Sequence, residues 1–446
     1  MSLDSAPAHS LIDEVVGAAR RVAPGADVSV SVGAGRSANT RFACNTITST
    51  GDVDDTTVAI GIAFGKRHAA TTTNQTDRGA LRTALDHAVR LAKIAPEDRE
   101  SMPLLAPQRY LASPAAYDPS THHLTATARA DTARAAIAAA DAAGLQIAGF
   151  HEHSGGIWML GNSAGLRAEY RATAASLTMT ARTGDGTGSG WAGALAQRAA
   201  EIDAAALTRV AVDKAVRSAR PRRLDPGRYT VVLEPAAVGT LLGFLVDSLD
   251  ARRADEGRSA FSKPGGTRVG DQLFADAITL VSDPTDPQTP GAPFDGEGFP
   301  LRRTTWIDKG TLAALTYSRF WAAKQGRPPS GDPSVFHLRG GTATTDALLQ
   351  DVQRGVLITR FWYCEWVDPQ TMLLTGLTRD GVFLIENGAV TGPVNNFRFN
   401  ESPLTMLRNA DALGRDTVRV PDAGGRLRVP ALRTHEFNLA SISAAV

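Results

Sequence analysis

Apolar side chains over residues 78–95 fall on one stripe through Leu81, Ala84, Ala88, Leu91 and Ile94. The spacing predicts an amphipathic helix that stops before Pro96. A second helix is predicted over 10–22, closed by Pro24-Gly25. Alternation of apolar and polar positions predicts strands at 27–32, 40–49 and 55–64. The first two are separated by a Gly33-Ala34-Gly35 loop, and the third ends near Gly65-Lys66. A proline-rich connector spans 103–119. Beyond it the alanine-rich stretch 126–143 predicts a helix, 146–182 three strands joined by Gly, Asn and Ser turns, and 204–218 another helix.

The texture changes after Arg220-Pro221-Arg222-Arg223-Leu224-Asp225-Pro226-Gly227, which reads as a linker. Residues 1–222 and 223–446 are therefore expected to form two domains. In the second, strands dominate: 278–281, 304–307, 355–363, 372–379 and 381–386, with Asn387-Gly388 as a hairpin turn. Its helices are few, at 235–249, 344–350 and 403–412. The fold class predicted is α+β, a mixed N-terminal domain followed by a strand-rich C-terminal one.

Composition narrows the partners. The 446 residues carry 47 basic and 46 acidic side chains, a net charge of +1, so electrostatics favour neither nucleic acid nor an anionic membrane surface. The two cysteines, Cys44 and Cys364, lie far apart and build no disulfide framework. The start, Met1-Ser2-Leu3-Asp4-Ser5-Ala6-Pro7, lacks the basic run and apolar core of a signal peptide, and no apolar run has spanning length. A cytoplasmic protein is expected.

Several short motifs invite an enzymatic reading. Gly33-Ala34-Gly35-Arg36-Ser37-Ala38 follows a strand, as a dinucleotide fingerprint does. The downstream residues are strand-like, whereas the pyrophosphate needs a helix N-terminus, so a hairpin loop is expected. Gly161-Asn162-Ser163-Ala164-Gly165 matches a nucleophile elbow, yet residues 166–182 alternate like a strand, so a hairpin turn is expected again. His151 and His153 would point to one strand face as a metal pair, with His122-His123 the only nearby further ligands. The alternative is a pair of solvated or satisfied strand residues. The glycine-dense 183–191 lacks the lysine of a phosphate-binding loop and is expected to be a mobile surface loop near a cleft.

An apolar strand entering a small-residue helix at 231–245 is followed by Ser259-Ala260-Phe261-Ser262 and Val269-Gly270-Asp271. Further on stand Gly296-Glu297-Gly298-Phe299-Pro300-Leu301-Arg302, Thr304-Thr305-Trp306-Ile307-Asp308-Lys309-Gly310, Gly355-Val356-Leu357-Ile358 and Val382-Phe383-Leu384-Ile385-Glu386-Asn387-Gly388. With these pieces the chain resembles the TldD/PmbA (TldE) family of metallopeptidases. The N-terminal half adds weaker matches in Arg41-Phe42-Ala43-Cys44-Asn45 with Ile47, and in Asn162-Ser163 with Gly165. The stretch before the Asn-Gly hairpin departs from the family: it is an aromatic run, Phe361-Trp362-Tyr363-Cys364-Glu365-Trp366. Its rings Trp362, Tyr363 and Trp366 are read either as a peptide-contact or dimer surface or as core of a central strand.

The resemblance implies a zinc-binding His-Glu-x-x-x-His at the start of the 235–249 helix, where this chain has Pro235-Ala236-Ala237-Val238-Gly239-Thr240. Such a motif works because two imidazoles on one helix face hold the ion and the carboxylate takes a proton from metal-activated water. Pro235 cannot ligate, Ala236 accepts no proton, and Thr240 is a poor zinc ligand. The nearest decoy, His435-Glu436-Phe437-Asn438-Leu439-Ala440, ends in alanine, and the tail from Val418 lacks the family's cysteine ligand. The resemblance therefore implies a TldE/PmbA-type subunit with no catalytic or metal residues and no cofactor of its own. Zinc would sit in a TldD-like partner that carries the intact motif, and the pair would act on peptide. Two alternatives are a stand-alone hydrolase using Ser163 or a metal at His151/His153, and a homo-oligomeric peptide-binding protein.

Overall fold

The computed structural model describes residues 5–421 and 425–444. The expectation about a leader falls on residues 1–7, of which 1–4 lie outside the described residues. The first sheet contains β1 (Asp27–Ala43), β2 (Thr46–Phe64), β3 (Arg67–Thr73), β4 (Leu145–Asn162), β5 (Arg167–Thr183) and β6 (Ser189–Ala196), in the order β3-β2-β1-β4-β5-β6. Every neighbouring pair is antiparallel.

Directly opposed residues share a face of a sheet. Val32 faces Met159, Ala38 faces His153 and Phe42 faces Gly149, so both apolar clusters of this half lie on one face. Helices Ser5–Val22 and Arg78–Ile94 cover one end, and Ala126–Ala142 and Ala204–Arg217 cover the other. The last three of these helices each follow an Asp or Thr whose side chain accepts from a first-turn amide.

Four local expectations are corrected. Residues 33–38 are no loop: β1 runs straight through them, paired on both sides. Gly35 serves close strand approach, since a Cβ there would meet the Gly155 carbonyl oxygen at 2.7 Å. The hairpin turn lies later, at Cys44-Asn45, both in the left-handed region (φ 48° and 57°) as a two-residue turn requires. Residues 146–182 form two long strands rather than three, because Gly155-Gly156 sits mid-strand and breaks nothing. The edge strand β3 is an addition to the expected elements, having almost no apolar alternation to announce it.

The second half carries β7 (Gly227–Leu233), a small hairpin of β8 (Ser262–Lys263) and β9 (Gly266–Thr267), and β10 (Leu280–Ser282), β11 (Thr304–Asp308), β12 (Thr311–Leu312) and β13 (Phe336–Leu338). Longer strands follow: β14 (Arg354–Asp368), β15 (Leu373–Glu386), β16 (Ala389–Pro393), β17 (Asn396–Glu401), β18 (Ala410–Arg419) and β19 (Leu427–Ser443). All but β8 and β9 belong to an eleven-stranded sheet. Because β7 pairs with both β14 and β19, strands β19-β17-β15-β14-β7 close into a ring. The architecture is α+β, as expected.

Segments 372–379 and 381–386 are one strand, bent at Asp380 (φ 57°) and Gly381 (φ 125°). The helix at 403–412 ends at Arg408, and β18 begins two residues on. Strand β19, at the centre of the sheet, has no counterpart among the expected strands. Pro430 interrupts its pattern, and Glu436, in the left-handed region, shifts its register against β7.

The two halves are buttoned together. Ser189 Oγ donates to the Asp380 carboxylate, Arg252 grips Glu100 with two 2.8 Å bonds, and Tyr110 donates to the Gly298 carbonyl at 2.8 Å.

Candidate functional site

Strand β7 delivers the chain to Glu234, which is extended, and Pro235 then opens helix Pro235–Val246. Proline suits this first turn because no intrahelical bond needs its missing N–H. The helix is buried on nearly every side, with Ala237, Val238, Leu241, Leu242 and Leu245 fully covered. It packs against β14 and β19 of the ring. Gly239 is required by that packing: a Cβ there would meet Val420 Cγ2 at 2.8 Å.

Zinc does not fit the positions of the degenerate motif. Pro235 offers no donor atom, Ala236 is a buried methyl group, and the Thr240 hydroxyl donates to the Ala236 carbonyl at 2.9 Å. The adjacent carboxylate, Glu234, is held by Lys214 at 2.6 Å, a bond between the two halves of the chain. Among the described residues no group of three or more His, Cys, Asp or Glu could hold a metal ion.

A cleft of about 400 Å³ opens beside this helix. One wall is Gly239, Thr240, Gly243, Phe244 and Asp247, and the other is the run from Arg360 to Cys364 on β14. The core reading does not hold for Trp362, Tyr363 and Trp366. Phe361 is core, stacked on Phe437 and tilted against Phe399, while Trp362, Tyr363 and Trp366 stand at the surface. Trp362 lies between the guanidinium groups of Arg360 and Arg379, each 5.1 Å from its ring, and Phe244 meets Trp366 edge-on. Arg360 is also paired with buried Asp380 at 3.1 Å. Burial pushes the Cys364 thiol up to about 12, so it is an inert part of the wall.

The other candidates fall elsewhere. Ser163 sits in the β4–β5 turn, where its hydroxyl accepts from the Val28 amide at 3.0 Å and a strand comes next. That is a hairpin, as expected, with no elbow. His151 and His153 do share a face of β4, but they are buried and each keeps a ring nitrogen without a partner, so they are neither solvated nor satisfied. The 183–191 stretch is a loop only over 184–188. A tight turn capped by Asp185 leads into β6, and Gly188 and Gly190 let helix Ala204–Arg217 settle on the strand. A Cβ on Gly190 would lie 2.2 Å from the Ala211 carbonyl oxygen.

The site is a strand-to-helix frame set on a closed ring, with Pro235, Ala236 and Thr240 at the start of the helix. Comparison with known proteins agrees with the frame. The C-terminal domain of PmbA/TldA metallopeptidases matches residues 226–441, and the central domain matches 119–219. The chain belongs to the PmbA/TldD metallopeptidase family.

TldE from Thermococcus kodakarensis superposes with a TM-score of 0.87 at 17% identity, covering 97% of this chain and all of that one. A Thermotoga maritima protein described as a candidate modulator of a DNA gyrase gives 0.85 at 18%, over 96% and 99% of the two chains. At such identities these likenesses show the fold. In sequence, a Methanothermobacter thermautotrophicus metalloprotease is 27% identical over 243 residues, 49% of this chain and 52% of its own. A zinc metalloprotease TldD homolog of Saccharolobus solfataricus is 22% identical over 233 residues, 46% and 51% of the two. The chain thus spans about half the length of these curated relatives.

Proposed function

We propose that this chain is a TldE-like, non-catalytic subunit of a TldD/TldE-type zinc metallopeptidase complex acting on peptides or unfolded polypeptides. The reading rests on one observation. The helix that should carry the metal is kept in place, packed on the ring, while its donor positions are Pro235, Ala236 and Thr240. Zinc and the general base then belong to a TldD-like partner bearing His-Glu-x-x-x-His. This chain contributes walls, an aromatic ledge at Trp362 and Trp366, and stability to its mate. No helix among the described residues is long and apolar enough to cross a membrane. A cytoplasmic site of action, with Cys44 and Cys364 kept as thiols, is part of the same proposal.

The test is metal content and peptide cleavage, measured on this chain alone and after co-expression with a family member that carries the intact motif. The isolated chain is expected to hold no stoichiometric zinc and to leave peptides uncut. The co-purified pair is expected to contain one zinc-bearing partner and to cleave. Zinc-dependent cleavage by the single chain overturns the proposal.

A further inference from the structure

The helix-covered face of the first sheet has a polar belt between its two apolar clusters. At one end Val32, Ile60 and Met159 lie under helices Ser5–Val22 and Arg78–Ile94; at the other Ile147, Leu177 and Met179 lie under Ala126–Ala142 and Ala204–Arg217. Between them, facing the same way, come Arg36, Thr40, Asp52, Asp54, His151 and His153. Thr40, His151 and His153 are buried there and Arg36 is half-buried, whereas Asp52 and Asp54 are exposed. Burying the first three is costly unless each is satisfied.

Arg129, from the first turn of helix Ala126–Ala142, is completely buried over this belt. Its guanidinium reaches the Leu124 carbonyl at 3.0 Å, the Thr40 hydroxyl and the Gly51 carbonyl at 3.4 Å, and His153 Nδ1 at 3.5 Å. Guanidinium nitrogens only donate, so His153 Nδ1 is the acceptor and carries no proton in this arrangement. His122, from the short helix Pro119–His122, is buried against Gly155 on the same face. His122 Nδ1, His151 Nδ1 and His153 Nε2 have no hydrogen-bond partner.

From these contacts we infer that the belt is an acid-sensitive latch. While His151 and His153 are neutral, Arg129 fastens residues 119–142 to the sheet, and protonation of the two imidazoles releases that segment. A proton on His153 Nδ1 would destroy the acceptor that Arg129 uses and set two like charges about a hydrogen-bond length apart. The facing groups are mixed. At His153, Arg129, Arg36 and His151 oppose protonation and Asp52, already paired with Arg36, favours it; Asp54 acts on His122, and β5 offers only Leu177, Ala175 and Thr173 opposite the belt.

Burial first, and then Arg129, push His153 down to about 4, and the same two causes hold His151 below its ordinary value. An imidazole whose native pKa is depressed adds stability that is complete above about 6.5 and declines as pH falls towards the folded value. With native and released values of about 4 and 6.5, lowering the pH from well above neutral to 5 multiplies the released population about thirtyfold through His153 alone. The latched helix also packs on Ala204–Arg217, which carries Lys214 to Glu234 beside the degenerate motif.

Amide hydrogen exchange on the full chain at pH 7.5 and 5.0, corrected for intrinsic rates, tests the latch. Protection over 119–142 is expected to fall by about thirtyfold or more, while helix Arg78–Ile94 on the same face changes little. An equal change in both segments, or in neither, overturns the inference. His153→Gln keeps an acceptor for Arg129 without the titration and is expected to flatten the response. Should that variant fail to fold, assigned proton resonances of the nine histidines in the native chain decide: the His151 and His153 rings must both remain neutral at pH 5.5. Titration of either near 6.5 overturns the inference.

Discussion

At the scale of single residues, the strongest commitments lie where the two halves meet. Asp380 is fully buried, sits at a left-handed bend, and takes bonds from Arg360 and from Ser189 across the interface. Removing its carboxylate takes a charged partner from the buried Arg360 guanidinium, a loss of about 3–5 kcal/mol in comparable pairs. Asp380→Ala is therefore expected to lower unfolding free energy in urea by that order. Asp380→Asn, which tolerates the left-handed backbone and still accepts from Ser189, is expected to lose less. Equal losses for both variants would mean that the charge, and not the bend, matters. The motif positions are the opposite case: Pro235, Ala236 and Thr240 are locally satisfied and hold nothing in wait for an ion.

At the scale of elements, glycine positions separate what a sequence displays from what it hides. Gly188 and Gly190 look like a loop in one dimension, but in the fold they are a landing strip for helix Ala204–Arg217. Gly190→Ala drives a Cβ into the backbone at Ala211 and Ala215, so the helix must shift, and a loss of about 1–3 kcal/mol is expected. Gly184→Ala, which meets open space, is the control and should stay within about 0.5 kcal/mol in the same thermal unfolding experiment. A Gly190→Ala variant as stable as wild type would show that the helix does not need this approach. The same ambiguity explains which parts of the architecture the sequence conceals. Helices with an apolar stripe and a sharp stop, such as Arg78–Ile94, are legible, as is the Asn387-Gly388 turn. Long strands carrying internal glycines read as separate pieces at Gly33 and at Gly155. Strand β19 is hidden because a proline and a bulge mask its period, although pairing on both sides secures it. At the site, the lost donors are visible in the sequence; the Lys214–Glu234 contact is not, because it joins residues on different elements. Nor is the polar belt, which exists only once β1, β2 and β4 are in register.

At the scale of the whole molecule, the closed ring and the first sheet are joined by a few strong contacts, and the cleft wall beside them ends in exposed aromatics. Tyr363 is 73% exposed and left-handed, and Trp362 and Trp366 flank it at 37% and 38%. Tryptophan and tyrosine dominate the energetic centres of protein interfaces, where truncation of one anchor costs about 2 kcal/mol or more. The proposed TldD-like partner is therefore expected to bind the Trp362→Ala/Trp366→Ala chain at least about thirtyfold more weakly, as a rising dissociation constant in calorimetry. Phe361 must be left untouched in this experiment, since its ring is packed between Phe399 and Phe437 and its loss would unfold the ring rather than probe the surface. Unchanged unfolding with weakened association places the partner on the ledge. Unchanged association moves the partner elsewhere on the molecule, and the ledge then has to be tested with peptide on the assembled complex.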